Sequence, residues 1–462
     1  MNAQQDTIAA ISTPPGLGAI SIVRISGPES FEIADRVLRC SGPAPSKRQG
    51  QTFIHGFVHS EPGDDGKGER EVDEVIMLIY RAPHSYTRED VVEIQGHGGR
   101  TAARRVLRTV LEHGARLADA GEFTMRAFLS GRVDLLQAEA VMDVIGAKSE
   151  RAAGAAMEQL AGTLSNWIQR AYDILISTCA ELELSLDFDD EGLPGPALDD
   201  IDRRIASAVE ALESLLGTWD EGHLLREGAL VGISGRPNVG KSTLLNLLIG
   251  SDRAIVAAVP GTTRDTIEEE VVIKGVPLRI VDTAGLRETD CPVESQGVDR
   301  AMEIIDRADI NLHVVDASES LLDDEWERIR EMNPAKAVVV FNKIDLGEKV
   351  QQKEIPEFTV VRACLLSGEG IDGIRGAIGE KLGFDGDIAA HAVISERHRR
   401  AVSLVLDDVR GAQGLLEQRR EDLIVPAVTL LRGALDKLGE LTGQTYTEEL
   451  LTNIFSRFCI GK

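Results

Sequence analysis

The 462-residue sequence is poor in aromatics (4%), has five scattered cysteines and carries no long apolar run; each shortage removes a class of protein. Cys40, Cys179, Cys291, Cys364 and Cys459 show no C-x-x-C spacing and are odd in number. Neither a zinc ribbon nor a disulfide framework is therefore expected, and the thiols should be reduced. No uninterrupted apolar stretch approaches the ~20 residues that span a bilayer, and residues 1–6 lack the basic and apolar regions of a signal peptide. A soluble, cytoplasmic chain without membrane contact is the expectation. Positive charge is also scarce, with 50 Lys and Arg against 76 Asp and Glu, a formal net charge of -26. Such a chain repels polyanions at long range, yet salt screening within about 8 Å leaves room for local basic patches. Arg100, Arg104, Arg105 and Arg108 form one, and Arg397, His398, Arg399 and Arg400 another. For each, a solvated, salt-bridged helix face is favoured over nucleic-acid binding.

What the chain does have is length and periodicity. Its size predicts two or three domains. Residues 1–118 mix β-branched runs, at 19–25 and 75–80, with helical patterns and read as an α+β domain. From 119 to 221 apolar residues recur at helical spacing from Leu135 through Leu186, interrupted at Gly146, Gly154 and Gly162. A loop at Leu193-Pro194-Gly195-Pro196 precedes a further helix expected over 201–219. Between 222 and 382 strands and helices alternate, with apolar runs at 278–281, 310–315 and 337–341, the doubly wound α/β pattern. Helical texture resumes over 383–462, where Pro426 should start or kink a helix. The expected architecture is thus multidomain: an α+β N-terminal domain, and an α-helical domain split in sequence by an inserted α/β domain.

Four motifs punctuate the α/β segment in the order a guanine-nucleotide site requires. Gly235-Arg236-Pro237-Asn238-Val239-Gly240-Lys241-Ser242 follows an apolar strand run and precedes a helical one, so its amides can cradle phosphate at a helix N-terminus. Lys241 would reach the β and γ phosphates, and the Ser242 hydroxyl would ligate Mg2+. Thr262-Thr263, Asp282-Thr283-Ala284-Gly285 and Asn342-Lys343-Ile344-Asp345 follow. Thr263 would complete the metal shell, Asp282 would hold Mg2+ through water, and the Gly285 amide would meet the γ phosphate. The Asp345 carboxylate can accept hydrogen bonds from guanine's ring N–H and exocyclic amine, a pattern adenine does not offer, so GTP is the nucleotide expected. The inserted domain is a P-loop G domain.

The hydrolytic group is less direct. Leu286 occupies the place after the D-x-x-G glycine where many small GTPases carry a water-orienting glutamine. Glu294, in a polar stretch beyond it, is a candidate to orient water, against the alternative of a solvated surface glutamate. Asn238 could offer its carbonyl to a monovalent cation beside the phosphates, where a cation can replace an arginine finger; a simple loop hydrogen bond is the competing reading.

Beyond the nucleotide motifs stand Asp6-Thr7-Ile8-Ala9-Ala10, Thr13-Pro14-Pro15-Gly16, Arg24-Ile25-Ser26-Gly27, Glu93-Ile94-Gln95-Gly96-His97-Gly98-Gly99, Gly121-Glu122-Phe123-Thr124, Gln137-Ala138-Glu139-Ala140 and the closing Phe458-Cys459-Ile460-Gly461-Lys462. With these the chain resembles the bacterial TrmE/MnmE family of tRNA modification GTPases over nearly its whole length. The resemblance implies a folate-binding N-terminal domain that also dimerises into a homodimer, a helical domain, and a G domain that pairs with its twin in the presence of K+ and GTP. It implies a tetrahydrofolate derivative held by Arg24, Glu93, Arg132 and Lys462, with Cys459 nearby as a catalytic thiol or a packed one. Arg and Lys suit folate carboxylates, and Glu93 suits the pterin's amine and N–H edge.

By the same resemblance K+ is held by Asn238, Ala257, Val259 and Thr262, and Glu294 falls at the catalytic glutamate. The GTP-contacting set becomes Asn238, Val239, Gly240, Lys241, Ser242, Thr243, Ala257, Ala258, Val259, Pro260, Gly261, Thr262, Thr263, Asp282, Thr283, Ala284, Gly285, Asn342, Lys343, Ile344, Asp345, Cys364, Leu365 and Leu366. Arg132 stands where a lysine is common, and Cys364-Leu365 where the base-binding loop usually reads Ser-Ala. The implied reaction installs an aminomethyl or carboxymethylaminomethyl group at C5 of the tRNA wobble uridine. The resemblance also implies a flavin-dependent partner, carrying FAD and NADH, that completes a heterotetramer with it. Gly16-Leu17-Gly18 lacks the third glycine of a dinucleotide fingerprint. A GTP-controlled assembly factor, as in ribosome maturation, and a slow signalling switch are the competing readings.

Overall fold

The structure, a computed structural model, describes residues 6–60, 70–187, 198–251, 268–282, 307–350, 355–383 and 395–462. Two compact units emerge, residues 1–142 with 436–462, and residues 143–435.

The first unit is built on a seven-stranded sheet of β1 (Ile8–Ile11), β2 (Ile20–Ser26), β3 (Leu38–Cys40), β4 (Thr52–Ser60), β5 (Arg70–Tyr80), β6 (Val91–His97) and β7 (Arg116–Leu117), in the order β3-β4-β5-β6-β2-β1-β7. Neighbours are antiparallel except β1 and β7. Side chains alternate across the pleat, so Val23, Ile25, Met77, Ile79, Val92 and Ile94 fall on one face. That face is closed by Ile33 and Val37 of the helix Ser30–Val37 and by Val106 and Val110 of the helix Arg100–Glu112. The same alternation turns Arg24 and Glu93, opposite one another in register on β2 and β6, away from that core.

A smaller apolar cluster joins Phe128, Leu135 and Ala138 to Leu451, Ile454, Phe455 and Phe458. It seats the helix Glu448–Phe455 against the helix Glu122–Leu129. The residues that follow are then tied to the sheet by backbone: Ser12 Oγ donates to the Gly461 carbonyl (3.0 Å) and the Phe123 N–H to the Lys462 carbonyl (3.2 Å). Beneath them Arg126 is buried, and it donates to Asp6 (2.6 Å), Glu89 (3.2 Å) and Glu122 (3.0 Å). Burial pushes the Glu122 carboxyl up, but bonds from Arg116, the Asp119 N–H and Arg126 more than reverse this and hold it low.

The second unit contains a six-stranded sheet of β8 (Ala229–Ser234), β9 (Glu268–Ile273), β10 (Val276–Asp282), β11 (Ile310–Asp316), β12 (Ala337–Asn342) and β13 (Thr359–Arg362), ordered β13-β12-β11-β8-β10-β9. All pairs are parallel but the β9–β10 hairpin. β12 is buried throughout and β11 up to Asp316, as continuous apolar runs in a covered parallel sheet require. β8 lies between β10 and β11, so the strand order reverses at its carboxyl end, the crevice in which α/β sheets take ligands.

Helices flank this sheet in sequence. Glu150–Leu160, Thr163–Asp187, Leu198–Gly217 and Trp219–Glu227 precede it, and Glu396–Leu416 and Ile424–Thr442 follow. The helix Glu396–Leu416 packs against Leu198–Gly217, joined by Arg410 to Glu213 and by Arg419 to Asp199 (2.8 Å) and Asp202 (2.6 Å). The helix expected over 201–219 stops at Gly217, and a new one begins at Trp219. Gly154 does not interrupt its helix: it lies within Glu150–Leu160 with no neighbour where a Cβ would stand, costing helix propensity of about 1 kcal/mol and no packing. Pro426 sits in the first turn of its helix, where a missing N–H is harmless. The loop expected at residues 193–196 lies outside the described residues. Cys40, Cys179, Cys364 and Cys459 are free thiols, and Cys291 lies outside the described set. Among the described residues no helix is long and apolar enough to cross a membrane.

Candidate functional site

Two sites were expected, and they lie in different units. In the second unit β8 runs into the glycine-rich turn, and the helix Lys241–Ser251 begins at its end, so the loop amides converge on the positive end of a helix. Two glycines are forced. Gly240 has φ +108°, and a Cβ there would stand 2.4 Å from Asn342 Nδ2. Gly235 has φ +138°, and its Cβ would meet the Val314 carbonyl at 2.2 Å. Lys241 is buried, and its ammonium donates to the carbonyls of Gly235 (3.0 Å) and Arg236 (2.7 Å). Val239 is buried, whereas Asn238, Ser242 and Thr243 are exposed; Asn238 has φ +63°.

Asn342, at the end of β12, joins three of the loops. Its Nδ2 donates to the Val239 carbonyl (2.7 Å) and its Oδ1 accepts from the Leu365 N–H (2.9 Å), all buried. Lys343 has φ +64° and donates to Asp316 Oδ2 at the end of β11 (2.6 Å). Burial pushes the Asp316 carboxyl up, and the bonds from Lys343 and Ser318 bring it below the ordinary range. Ile344 and Asp345 lie in the short turn that follows, with Asp345 exposed. Cys364 and Leu365 are buried while Leu366 is 93% exposed. Asp282 closes β10 with its backbone in register with Ile233. Ala257, Ala258, Val259, Pro260, Gly261, Thr262, Thr263, Thr283, Ala284, Gly285 and Glu294 lie outside the described residues.

Directly behind the phosphate loop sits a buried histidine that the motif reading passed over. His313 Nδ1 bonds Ser234 Oγ at 2.9 Å, one residue before Gly235, and its Nε2 has no partner among the described residues. Burial, then the charges of Arg328 and Lys241, drives its pKa down to about 4, so the ring is neutral at pH 7. The signal was present: a histidine, with Asn311, in the mostly apolar run of 310–315.

In the first unit a cavity of about 530 Å³ is lined by Tyr80, Tyr86, Arg88, Glu93 and Arg132 among others. Arg24 Nε and Nη2 both reach Glu93 Oε1 at 2.8 Å, with both side chains about six-sevenths buried. The third guanidinium nitrogen, Nη1, is buried with no partner among the described residues. Arg24 lies over the rings of Tyr86 (5.1 Å) and Phe123 (5.5 Å), and Arg132 also lies over the Tyr86 ring, at 4.7 Å, while donating to the Tyr86 carbonyl. Lys462 is half-buried, and desolvation followed by the charge of Arg24 pulls its pKa down, against the opposing influence of Glu93 and Cys459. The four residues expected around one ligand therefore share one neighbourhood, with Cys459 exposed beside it. The tyrosines and Arg88 were not anticipated, since nothing in their local sequence marks them.

Comparison with known proteins identifies the family. The family model described as the GTP-binding protein TrmE N-terminus matches residues 7–132, and the MnmE helical domain model matches residues 135–459. The chain is 41% identical over 467 residues to the tRNA modification GTPase MnmE of Geotalea uraniireducens, covering 99% of each chain. To the protein of the same name from Bacillus subtilis it is 41% identical over 471 residues, covering 99% of this chain and 100% of that one. Among solved structures, the G domain of the T. maritima FeoB iron transporter is 27% identical and covers 33% of this chain and 98% of that one, at a TM-score of 0.26, too low to bear on function. Relatives this similar along their entire length leave one assignment: the chain belongs to the MnmE family of tRNA modification GTPases.

Proposed function

We propose that the chain hydrolyses GTP in the service of tRNA modification, and that with a flavin-dependent partner it installs an aminomethyl or carboxymethylaminomethyl group at C5 of the wobble uridine. The observation that carries the nucleotide half is the Asn342 amide, which ties the phosphate loop at Val239 to the base-side loop at Leu365. In this reading the loop amides and Lys241 hold the phosphates, Asp345 selects guanine, and Ser242 with Thr263 holds Mg2+, which neutralises phosphate charge. Asn238, Ala257, Val259 and Thr262 hold K+, and Glu294 orients the attacking water. The G domain spans 222–382, the helical domain 119–221 with 383–462, and the folate-binding and dimerisation domain 1–118. The protein acts in the cytoplasm as a homodimer, and FAD and NADH belong to the partner.

The cavity of the first unit fits a folate. Its tyrosines offer apolar faces, Glu93 offers a carboxylate to an amine and N–H edge, and Arg24 Nη1 is a buried donor with no acceptor among the described residues. Arg132 and Lys462 suit the carboxylates. The bound folate derivative would supply a one-carbon unit; the chain's own residues hold and orient it, and Cys459 is near enough to Lys462 to bear on its charge.

Reconstitution with the flavin partner and nucleoside analysis of the tRNA tests this. Wild type should give the modified wobble uridine, and Glu294→Ala should give none while still binding GTP. Absence of the nucleoside with wild type would overturn the proposal. Equal GTP turnover in K+ and Na+ would remove the cation from it.

A further inference from the structure

Four arginines of the helix Arg100–Glu112 stand apart from the other cations of this acidic chain. Arg100, Arg104 and Arg108 recur every four residues, about 6 Å of helix rise apart, with Arg105 beside them, and all four are exposed. The salt-bridged face that the sequence favours is not what the structure has. Among the described residues none of the four side chains makes an ion pair or hydrogen bond, and Glu112, four residues after Arg108, is not paired with it. The second basic run differs: Arg399 donates to both oxygens of Glu396 (3.0 and 2.8 Å) and lies over the Trp219 ring at 4.9 Å.

The unpaired stripe also works against its own helix. With no acidic residue in the first turn, Arg100 opposes the positive end of the helix, and Arg100/Arg104 and Arg104/Arg108 repel as i,i+4 neighbours. Ala103, Val106 and Val110 are buried, with the two valines in the sheet core, so the stripe is held outward. No large apolar residue of this helix is exposed, which removes the wedge an interfacial membrane helix uses.

We propose that this stripe is a docking surface for RNA phosphates, its guanidinium row following successive phosphates along a tRNA strand. The proposal rests on the tRNA reading above and supplies the local cationic surface that the net charge denies the chain as a whole. Each planar guanidinium can take a phosphate bidentately, and contacts of this kind position the RNA without reading its bases.

The test uses the full-length protein with all four arginines changed to Gln, and a second variant with all four changed to Lys. tRNA binding is followed by fluorescence anisotropy from about 50 to 200 mM salt. The Gln variant should lose about 3 from the slope of log K against log salt, with affinity at the low-salt end down by about tenfold or more. The Lys variant should keep the slope, and GTP hydrolysis should be unchanged in both. An unchanged slope in the Gln variant, or loss of slope instead on Arg399→Gln with Arg400→Gln, overturns the stripe and leaves the functional reading standing. So does a wild type that modifies tRNA yet does not bind it at low salt. A wild type that neither binds nor modifies tRNA overturns both. Phosphatidylglycerol vesicles are the third probe: binding to them that the Gln change abolishes, while tRNA binding survives, overturns the RNA assignment.

Discussion

The nucleotide site and the cavity beside Arg24 and Glu93 are built in opposite ways. The first is assembled from loops at the carboxyl ends of neighbouring parallel strands, so each contributing stretch is a short contiguous motif, and one side chain, Asn342, suffices to lock three of them. The second is assembled across antiparallel register: Arg24 meets Glu93 only because β2 pairs with β6, and Lys462 joins them only because a distant helix packs its chain end onto Ser12 and Phe123. Phosphate and base chemistry can therefore be written locally, whereas the acid–base cavity is written in pairings that no short window contains.

If that contrast is right, the largest effect should come from a change at a local motif. Asp345→Asn would remove the acceptor proposed for guanine and offer a donor suited to xanthine, so the preference for guanine over xanthine nucleotide should reverse, by roughly 10⁴-fold. A competition assay with the two nucleotides reads it directly; an unchanged preference would mean that Asp345 does not face the base.

Next should come Glu93→Gln, which takes the charge from the cavity, leaves Arg24 facing a neutral acceptor and should weaken binding of a tetrahydrofolate derivative by about 10²-fold. GTP turnover by the same protein should be unaltered, because the residue lies in the other unit. Calorimetry with the folate and a steady-state GTPase assay on one preparation would show whether the two sites fail separately.

A smaller effect is expected behind the phosphate loop. The folded-state pKa of His313 is about 4, below the ordinary value of 6.5. The unfolded chain therefore binds the extra proton first as pH falls. Stability from keeping the ring neutral is complete above pH 6.5 and is lost between there and pH 4, on the order of 3 kcal/mol in all. His313→Phe, which keeps the ring volume, should flatten that part of the profile. Urea unfolding at pH 7.5 and pH 5 provides the comparison, and an unchanged difference between wild type and variant would contradict the burial argument. Smallest of all should be Cys364→Ser: the loop presents its backbone, as the Leu365 N–H does to Asn342, so GTP affinity should move by less than about threefold.

Much of the fold could be read in the chain. The run at 19–25 became β2, displaced by one residue, and the run at 75–80 became the second half of a longer β5, because β-branched alternation persists only where one face is buried. Pro426 marked a helix start correctly because a first turn needs no N–H. Gly154 misled because an open helix surface tolerates a glycine. The break at Thr218 and the ion network in which Asp6 and the exposed Arg116 meet the buried Glu122 and Arg126 were not legible: the network joins residues more than a hundred positions apart, and each looks like surface charge until the sheet brings β1 against β7. At the cavity, Arg24, Glu93 and Lys462 were named from a resemblance, while Tyr80 and Tyr86 gave no local cue at all.

The amide of Asn342 acts as a keystone. With both ends committed to loops on either side, it has no freedom left to adapt, and an inserted or deleted residue in any of those loops would have to be absorbed at its two bonds. A change in chain length is therefore best placed where this residue does not reach, and protein engineers should graft there, leaving the loops at Val239, Asn342 and Leu365 untouched.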